Sequence, residues 1–251
     1  MPTYLYCLLT PTAEPESGPP IAHGIGGAAV RVLSAGPLEA WVSTIGAPPP
    51  AATVQAVREH DAVVSAALAT GRTPLPARFG QIWPSDADCA TAVAQRREEL
   101  ESFLHRVAGT VEMTVCTLLP GMPPAPQPFP TPGSPGVKPG TAYMFRLRAR
   151  ADREQHLRAA LEALRARVSR ALGPISRAEI AEIRGSDEAL ALSVSYLIER
   201  GKEAEFRRAV DEASRESAAR LVVVGPRAPY SFTPTARPPR YRPSDRLGER
   251  S

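Results

Sequence analysis

Four histidines and three cysteines are the side chains of this 251-residue chain best equipped for metal ligation or nucleophilic catalysis. His23, His60, His105 and His156 lie far apart, share no helix face and have no neighbouring cysteine or paired carboxylate. A metal centre needs ligands that converge, and a catalytic nucleophile needs a base within hydrogen-bond reach; the spacing offers neither. Cys7, Cys89 and Cys116 are odd in number and widely separated, which predicts buried structural thiols and not a disulfide framework or a zinc site. The nucleophile elbow Gly-x-Ser-x-Gly, the P-loop and His-Glu-x-x-His are all missing. "HGIGGAA" at 23–29 loosely matches a dinucleotide fingerprint. That fingerprint requires a strand before the glycines and a helix after them, so that the helix N-terminus meets the pyrophosphate. Here a loop precedes and strand-like "AVRVLS" follows, so the glycines read as a flexible lead-in to a hairpin. The sequence therefore predicts no catalytic residue, no cofactor and no metal.

Two stretches are less bland. "TPLPARFGQIW" (73–83) places Arg78 and Phe79 between two helical patterns, in a chain with only 6% aromatic residues. Phe79 is expected to fill the N-terminal core, and Arg78 to meet a carboxylate or carbonyl near a domain junction. "GPRAPYSF" (225–232) sets Pro229, Tyr230 and Phe232 together after an apolar strand. Either the chain end folds back with its aromatics as pegs, or it presents a docking surface. Arg78, Phe79, Pro229, Tyr230 and Phe232 are the candidate partner-binding residues.

The elements that must position them follow from composition and periodicity. Hydrophobic content of 43% and charged content of 22% are those of a globular protein. No basic, apolar leader opens the chain, so no signal peptide is expected. The longest uncharged run, Met113 to Val137, is broken by proline throughout and cannot be a membrane helix. A cytoplasmic chain without a lipid membrane partner is expected. Most of the net charge of +4 comes from residues 233–251, where five arginines face Asp245 and Glu249. This segment reads as a disordered basic tail. The nearly neutral body gives no electrostatic case for a nucleic acid partner.

Residues 120–140 hold nine prolines and four glycines and read as an extended, mobile connector. Before it, strands are expected at 3–9, 28–34 and 38–44, the last two joined across Ala35-Gly36-Pro37. A helix over 53–70 would bury Val54, Val57, Val64 and Leu68 and stop at Gly71. "PLPARFG" reads as an edge strand or extended segment. Ser85 caps a helix over 86–108 with Val93, Leu100, Phe103, Leu104 and Val107 inward, ended by Gly109. A strand at 110–119 follows. Beyond the connector come a helix at 142–172, strands at 175–184 and 189–198, a helix at 202–218 and a strand at 220–225. The order strand–helix–strand–strand–helix–strand is the ferredoxin-like one. The fold class is therefore α+β in two domains: an N-terminal α+β domain at 1–109 and a modified ferredoxin-like domain at 110–232 carrying the proline-rich insertion.

"TYLYCLL", "GIGGAAVRVLSAGPLEAWVST", "HDAVVSAALATGRTPLPARFGQIW", "VSYLIERGKEAEF" and "VVVGPRAPYSF", taken in that order, resemble successive signatures of the gas-vesicle GvpL/GvpF family. Arg227 and Ala228 stand where the family pattern is more aromatic and proline-rich. The resemblance implies an accessory protein of gas vesicle formation, associated with gas vesicles, without catalytic residues or cofactor. It implies as partners the small hydrophobic gas vesicle shell protein, bound during early assembly, and other accessory proteins. By fold analogy alone, a small-molecule-sensing or regulatory ferredoxin-like protein without catalysis is the alternative.

Overall fold

The computed structural model describes residues 1–12, 19–46, 50–118, 139–186, 189–215, 220–234 and 240–241. β1 (Thr3–Leu9) is the centre of the first sheet, and all seven of its residues are buried. β2 (Val30–Ala35) and β3 (Leu38–Thr44) form the expected hairpin, turning at Gly36 with φ of 67°. α1 (Val54–Ala69) follows, then β4 (Leu75–Pro76), β5 (Ile82–Trp83), α2 (Asp86–Gln95) and α3 (Arg97–Val107). The sheet order is β2-β3-β1-β4, with β5 also paired to β1.

Both faces of this sheet are covered, which is why β1 reads as an unbroken apolar run instead of an alternation. Tyr4, Tyr6, Cys7, Leu9 and Trp41 pack with Val63, Val64 and Ala67 of α1. Leu5, Leu8, Ala40 and Val42 pack with Cys89 and Val93 of α2 and with Leu100 and Leu104 of α3. Strict alternation would put Tyr6 and Cys7 on opposite faces. The register steps from Leu5↔Val42 to Cys7↔Trp41, so Tyr6 is the extra residue of a bulge and joins Cys7 on the α1 side.

Two helices differ from the sequence reading. The face of α1 is rotated: Ala56, His60, Val63, Val64, Ala67 and Leu68 are buried, whereas Val54 is 70% and Val57 45% exposed. Small residues set the true face, since Ala56, Ala67 and His60 sit at the helical spacing that Val64 and Leu68 complete. The expected helix over 86–108 is two helices that break at Arg96 (φ −110°, ψ 20°). No glycine or proline marks the break, and Val93, Leu100, Leu104 and Val107 keep one buried face across it. Ser85 caps α2 as expected, accepting from the Asp88 N–H. Phe103 is only partly buried, with the Arg106 guanidinium 4.1 Å from its ring centroid.

The second sheet is built from β6 (Thr110–Leu118), β7 (Ser176–Ser186), β8 (Ala189–Glu199), β9 (Arg220–Arg227) and β10 (Arg240–Tyr241), in the order β10-β7-β8-β6-β9. Its ladders are antiparallel. Without β10 this is the ferredoxin-like order. α4 (Pro139–Leu172) and α5 (Glu203–Arg215) cover one face. Leu161, Leu164, Val168 and Leu172 of α4 and Phe206 and Val210 of α5 meet Val111, Met113, Val115, Val194 and Tyr196 there. On α4 the expected pair forms, with Arg158 donating to Glu154 at 2.8 Å. Apart from the start of α4, residues 120–140 lie outside the described residues. So does the expected tail beyond Pro234, β10 excepted. No helix among the described residues is long and apolar enough to cross a membrane.

Candidate functional site

The two stretches singled out in the sequence meet at the α1 side of the first sheet. Phe79 is half-buried against Tyr4 and His60, with ring centroids 6.2 and 6.0 Å away. The Gly80 N–H donates to the Tyr4 hydroxyl, which lies 2.9 Å from Nδ1 of His60. Tyr6 donates to Ser43 at 2.9 Å and accepts from the Ile25 N–H at 3.0 Å. Burial pushes the Tyr4 phenol up to about 12 and also raises that of Tyr6. Burial likewise lowers the His60 imidazole below its ordinary value. These are uncharged hydrogen-bonding groups, and they lock the core in register.

"HGIGGAA" serves the same packing. Gly24 lies so close to Tyr6 that a Cβ there would come within 2.6 Å of the ring carbon Cζ. Ile25–Gly27 form a short 3-10 turn with φ of 60° and 74° at Gly26 and Gly27, and no α-helix N-terminus opens there. The turn does not have the geometry of a dinucleotide site.

The chain end is fixed by an unexpected group. Glu112 of β6 is fully buried on the helix-free face of the second sheet. Its Oε1 accepts from Nη2 of Arg227 at 2.7 Å and from the Ser231 hydroxyl at 2.8 Å; its Oε2 accepts from the Ser231 N–H at 2.8 Å. Thr114 and Ser195 extend the network. A buried carboxylate is tolerated only when paired and hydrogen-bonded, and here it is both. Held by it, residues 228–232 connect the two halves. Buried Ala228 and half-buried Tyr230 pack into the first sheet's aromatic cluster. Phe232 is fully buried with Val107 of α3 and Ala178, Ile180 and Leu197 of the second sheet. Burial raises the Tyr230 phenol, and the Asp61 carboxylate beside it adds to the push. Pro229 is buried too. A second clasp comes from Arg200, which donates to the Leu68 and Arg72 carbonyls, each at 3.0 Å, at the end of α1.

Arg78 is exposed and points elsewhere, onto the other side of the sheet. There it lines a pocket of about 90 Å³ with Leu5, Leu8, Leu75, Trp83, Val93 and Arg96 among the walls. Thr233 and Pro234 reach the same pocket. The structure thus brings Phe79 and Tyr230 together in one cluster and leaves Arg78 and Phe232 apart from it. Among the described residues no three His, Cys, Asp or Glu side chains are grouped to hold a metal ion.

The family model described as "Gas vesicle synthesis protein GvpL/GvpF" matches residues 2–234. The chain belongs to the GvpL/GvpF family. Gas vesicle protein L of a Streptomyces strain is 31% identical over 229 residues, spanning 84% of this chain and 85% of that protein. The crystal structure of GvpF from Anabaena superposes with a TM-score of 0.74 at 18% identity, covering 94% of this chain and 97% of that one. GvpF from Microcystis aeruginosa gives 0.70 at 14% identity, covering 92% and 98%. These likenesses show that the GvpL/GvpF fold extends over nearly the whole chain.

Within this GvpL/GvpF chain, Arg227 and Ala228 both have structural places. Arg227 is the partner of Glu112, and Ala228 fills a buried place in the aromatic cluster. Sequence reasoning missed Glu112 and His60. The alternation Thr110, Glu112, Thr114, Cys116 marked a polar strand face, but nothing local showed that it would be covered. His60 was legible only from the correct face of α1.

Proposed function

We propose that this accessory protein of gas vesicle formation binds the small hydrophobic shell protein during early assembly and keeps it soluble until it polymerises. In this reading it acts in the cytoplasm at forming vesicles, together with other accessory proteins, and residues 1–109 and 110–232 are its two domains. The observation that carries the reading is the family match over residues 2–234. The physical case is that a shell subunit exposes a large apolar surface before assembly, and such surface aggregates unless it is covered. Sheet edges at β2 and β9, each paired with a single strand among the described residues, offer backbone groups to an added strand. Tagged protein is co-expressed with the shell protein and captured at low and high salt. Co-capture of soluble shell protein at both is expected, and its absence at both would overturn the reading.

A further inference from the structure

The structure assigns the N-terminal half of α4 as a docking site for an acidic amphipathic helix of a partner protein. α4 is longer than the sheet it covers: its 34 residues make about 51 Å of helix, whereas the 11 residues of β8 span about 37 Å. Among the described residues of α4, Leu157 is the first to pack in a core, followed by Leu161, Leu164, Val168 and Leu172. Tyr143 and Leu147 continue that stripe upstream at spacings of four and three, with Arg150 and Glu154 at the two positions between. They are open to solvent instead of seated on the sheet. Tyr143 is 59%, Met144 61% and Leu147 48% exposed. The other exposed large apolar side chains among the described residues are Met1 and four valines, so three gather within five positions only here.

Charge selects the occupant. Residues 143–153 carry Arg146, Arg148, Arg150 and Arg153 against the single carboxylate of Asp152, a net of +3. Glu154, the next acid along, is already held by Arg158 at 2.8 Å. Arg148 is exposed, and no described carboxylate pairs with it. Such a segment attracts carboxylates, which guanidiniums meet through paired N–H donors. The same charge disfavours a second copy, since two of these faces would repel. Tyr143, Met144 and Leu147 stand at i, i+1 and i+4, the spacing by which one helix anchors on another, and methionine adapts to an irregular partner surface. A helix lying in a lipid interface buries a long apolar face, and here Arg150 and Glu154 interrupt it after Leu147. The assignment stands on α4 alone and is independent of the shell-protein reading.

The probe is a fluorescein-labelled synthetic helical peptide with leucine at i, i+3, i+4 and i+7 and glutamate at the other positions. Full-length protein is titrated into it and fluorescence anisotropy is followed. Saturable binding that weakens as salt rises is expected. Arg148→Glu should weaken it at least about tenfold by charge reversal. The double variant Tyr143→Ser, Leu147→Ser should weaken it as much by removing the anchors. All three side chains are exposed, so thermal unfolding should match the wild type; a variant that does not fold leaves the decision to the other and to the control peptides. A peptide of the same composition with its leucines scattered round the helix should bind at least about tenfold more weakly, and so should one with lysine for glutamate. No binding of the first peptide, equal binding of either control, or unchanged binding in either variant would overturn the assignment. Co-sedimentation with phosphatidylglycerol vesicles that the double variant abolishes would overturn it by giving the face to a lipid surface. Self-association abolished by the double variant would overturn it by giving the face to a second copy.

Discussion

Arg227 and Glu112 stand 115 residues apart in sequence, yet the guanidinium donates to the carboxylate at 2.7 Å while Glu112 is completely buried. Arg227 is 38% exposed, so the pair spans the boundary between solvent and the helix-free face of the second sheet. It fixes the strand end from which Ala228, Tyr230 and Phe232 cross to their separate clusters. Through this pair the docking of the two halves depends on one buried carboxylate and its guanidinium.

Removing the guanidinium should therefore cost more than an exposed ion pair would. In Arg227→Met the carboxylate keeps Ser231 and Thr114 but loses its counter-charge, and stranding one buried charge costs roughly 3–5 kcal/mol. Water can reach Arg227, so the lower end of that range is expected in urea unfolding. Arg227→Met combined with Glu112→Gln should recover part of the loss, since no buried charge is then left unpaired. A double variant no more stable than the single one would show that the charge is not the cause.

Phe79→Ala tests whether the Leu-Pro-x-Arg-Phe-Gly block is architectural. Emptying a fully buried phenylalanine site costs about 3–5 kcal/mol. Phe79 is only half-buried against Tyr4 and His60, so a loss of about 2 kcal/mol is expected in denaturant unfolding. A change within about 0.5 kcal/mol would make Phe79 a surface residue.

Much of this fold was legible because long apolar periodicities and turn residues marked it. β1 and β3 have the expected bounds, Gly36, Gly71 and Gly109 turn the chain with φ of 67°, 89° and 69°, and the ferredoxin-like order follows from element order alone. The features that were not legible depend on contacts between distant residues. The bulge at Tyr6 shows only in the register with β3, and the break at Arg96 leaves the buried face of its helices unaltered. For the site, Phe79 and Tyr230 were found from their unusual setting. The pocket was invisible, because Leu5, Leu75, Val93 and Leu100 converge from four elements.

The cysteines, expected to be uniformly buried, divide into two kinds. Cys7 and Cys89 are buried, and burial pushes the Cys7 thiol up and that of Cys89 up to about 11. Cys116 is only half-buried, on the polar face of β6 near Ser193. The thiolate is the reactive form, so Ellman's reagent should label Cys116 first in the folded protein and the other two only on unfolding. Equal rates at the three sites would contradict the packing of Cys7 against Trp41.

His60 should give stability a pH dependence well above the range where carboxylates act. Burial lowers its folded-state value below the ordinary 6.5, against a smaller opposing pull from the Ala77 carbonyl and the nearby Asp61 carboxylate. The phenols of Tyr4 and Tyr6, which also face the ring, are raised and stay neutral in this range. Between the two imidazole values the unfolded chain holds a proton that the folded chain does not, so stability rises with pH there. The contribution is complete above about 6.5 and is lost as the pH falls toward the lower, folded value. Asp86, Glu59, Glu99 and Glu199 are lowered below ordinary values of 3.8 and 4.5, and their contribution is lost only in more acidic solution. Urea unfolding at about pH 7.5 and about pH 5.5 separates the two. The wild type should lose stability over this interval, while His60→Gln, which keeps hydrogen-bonding capacity without a titrating ring, should lose much less. Equal losses in both proteins would show that the interval's pH dependence arises elsewhere.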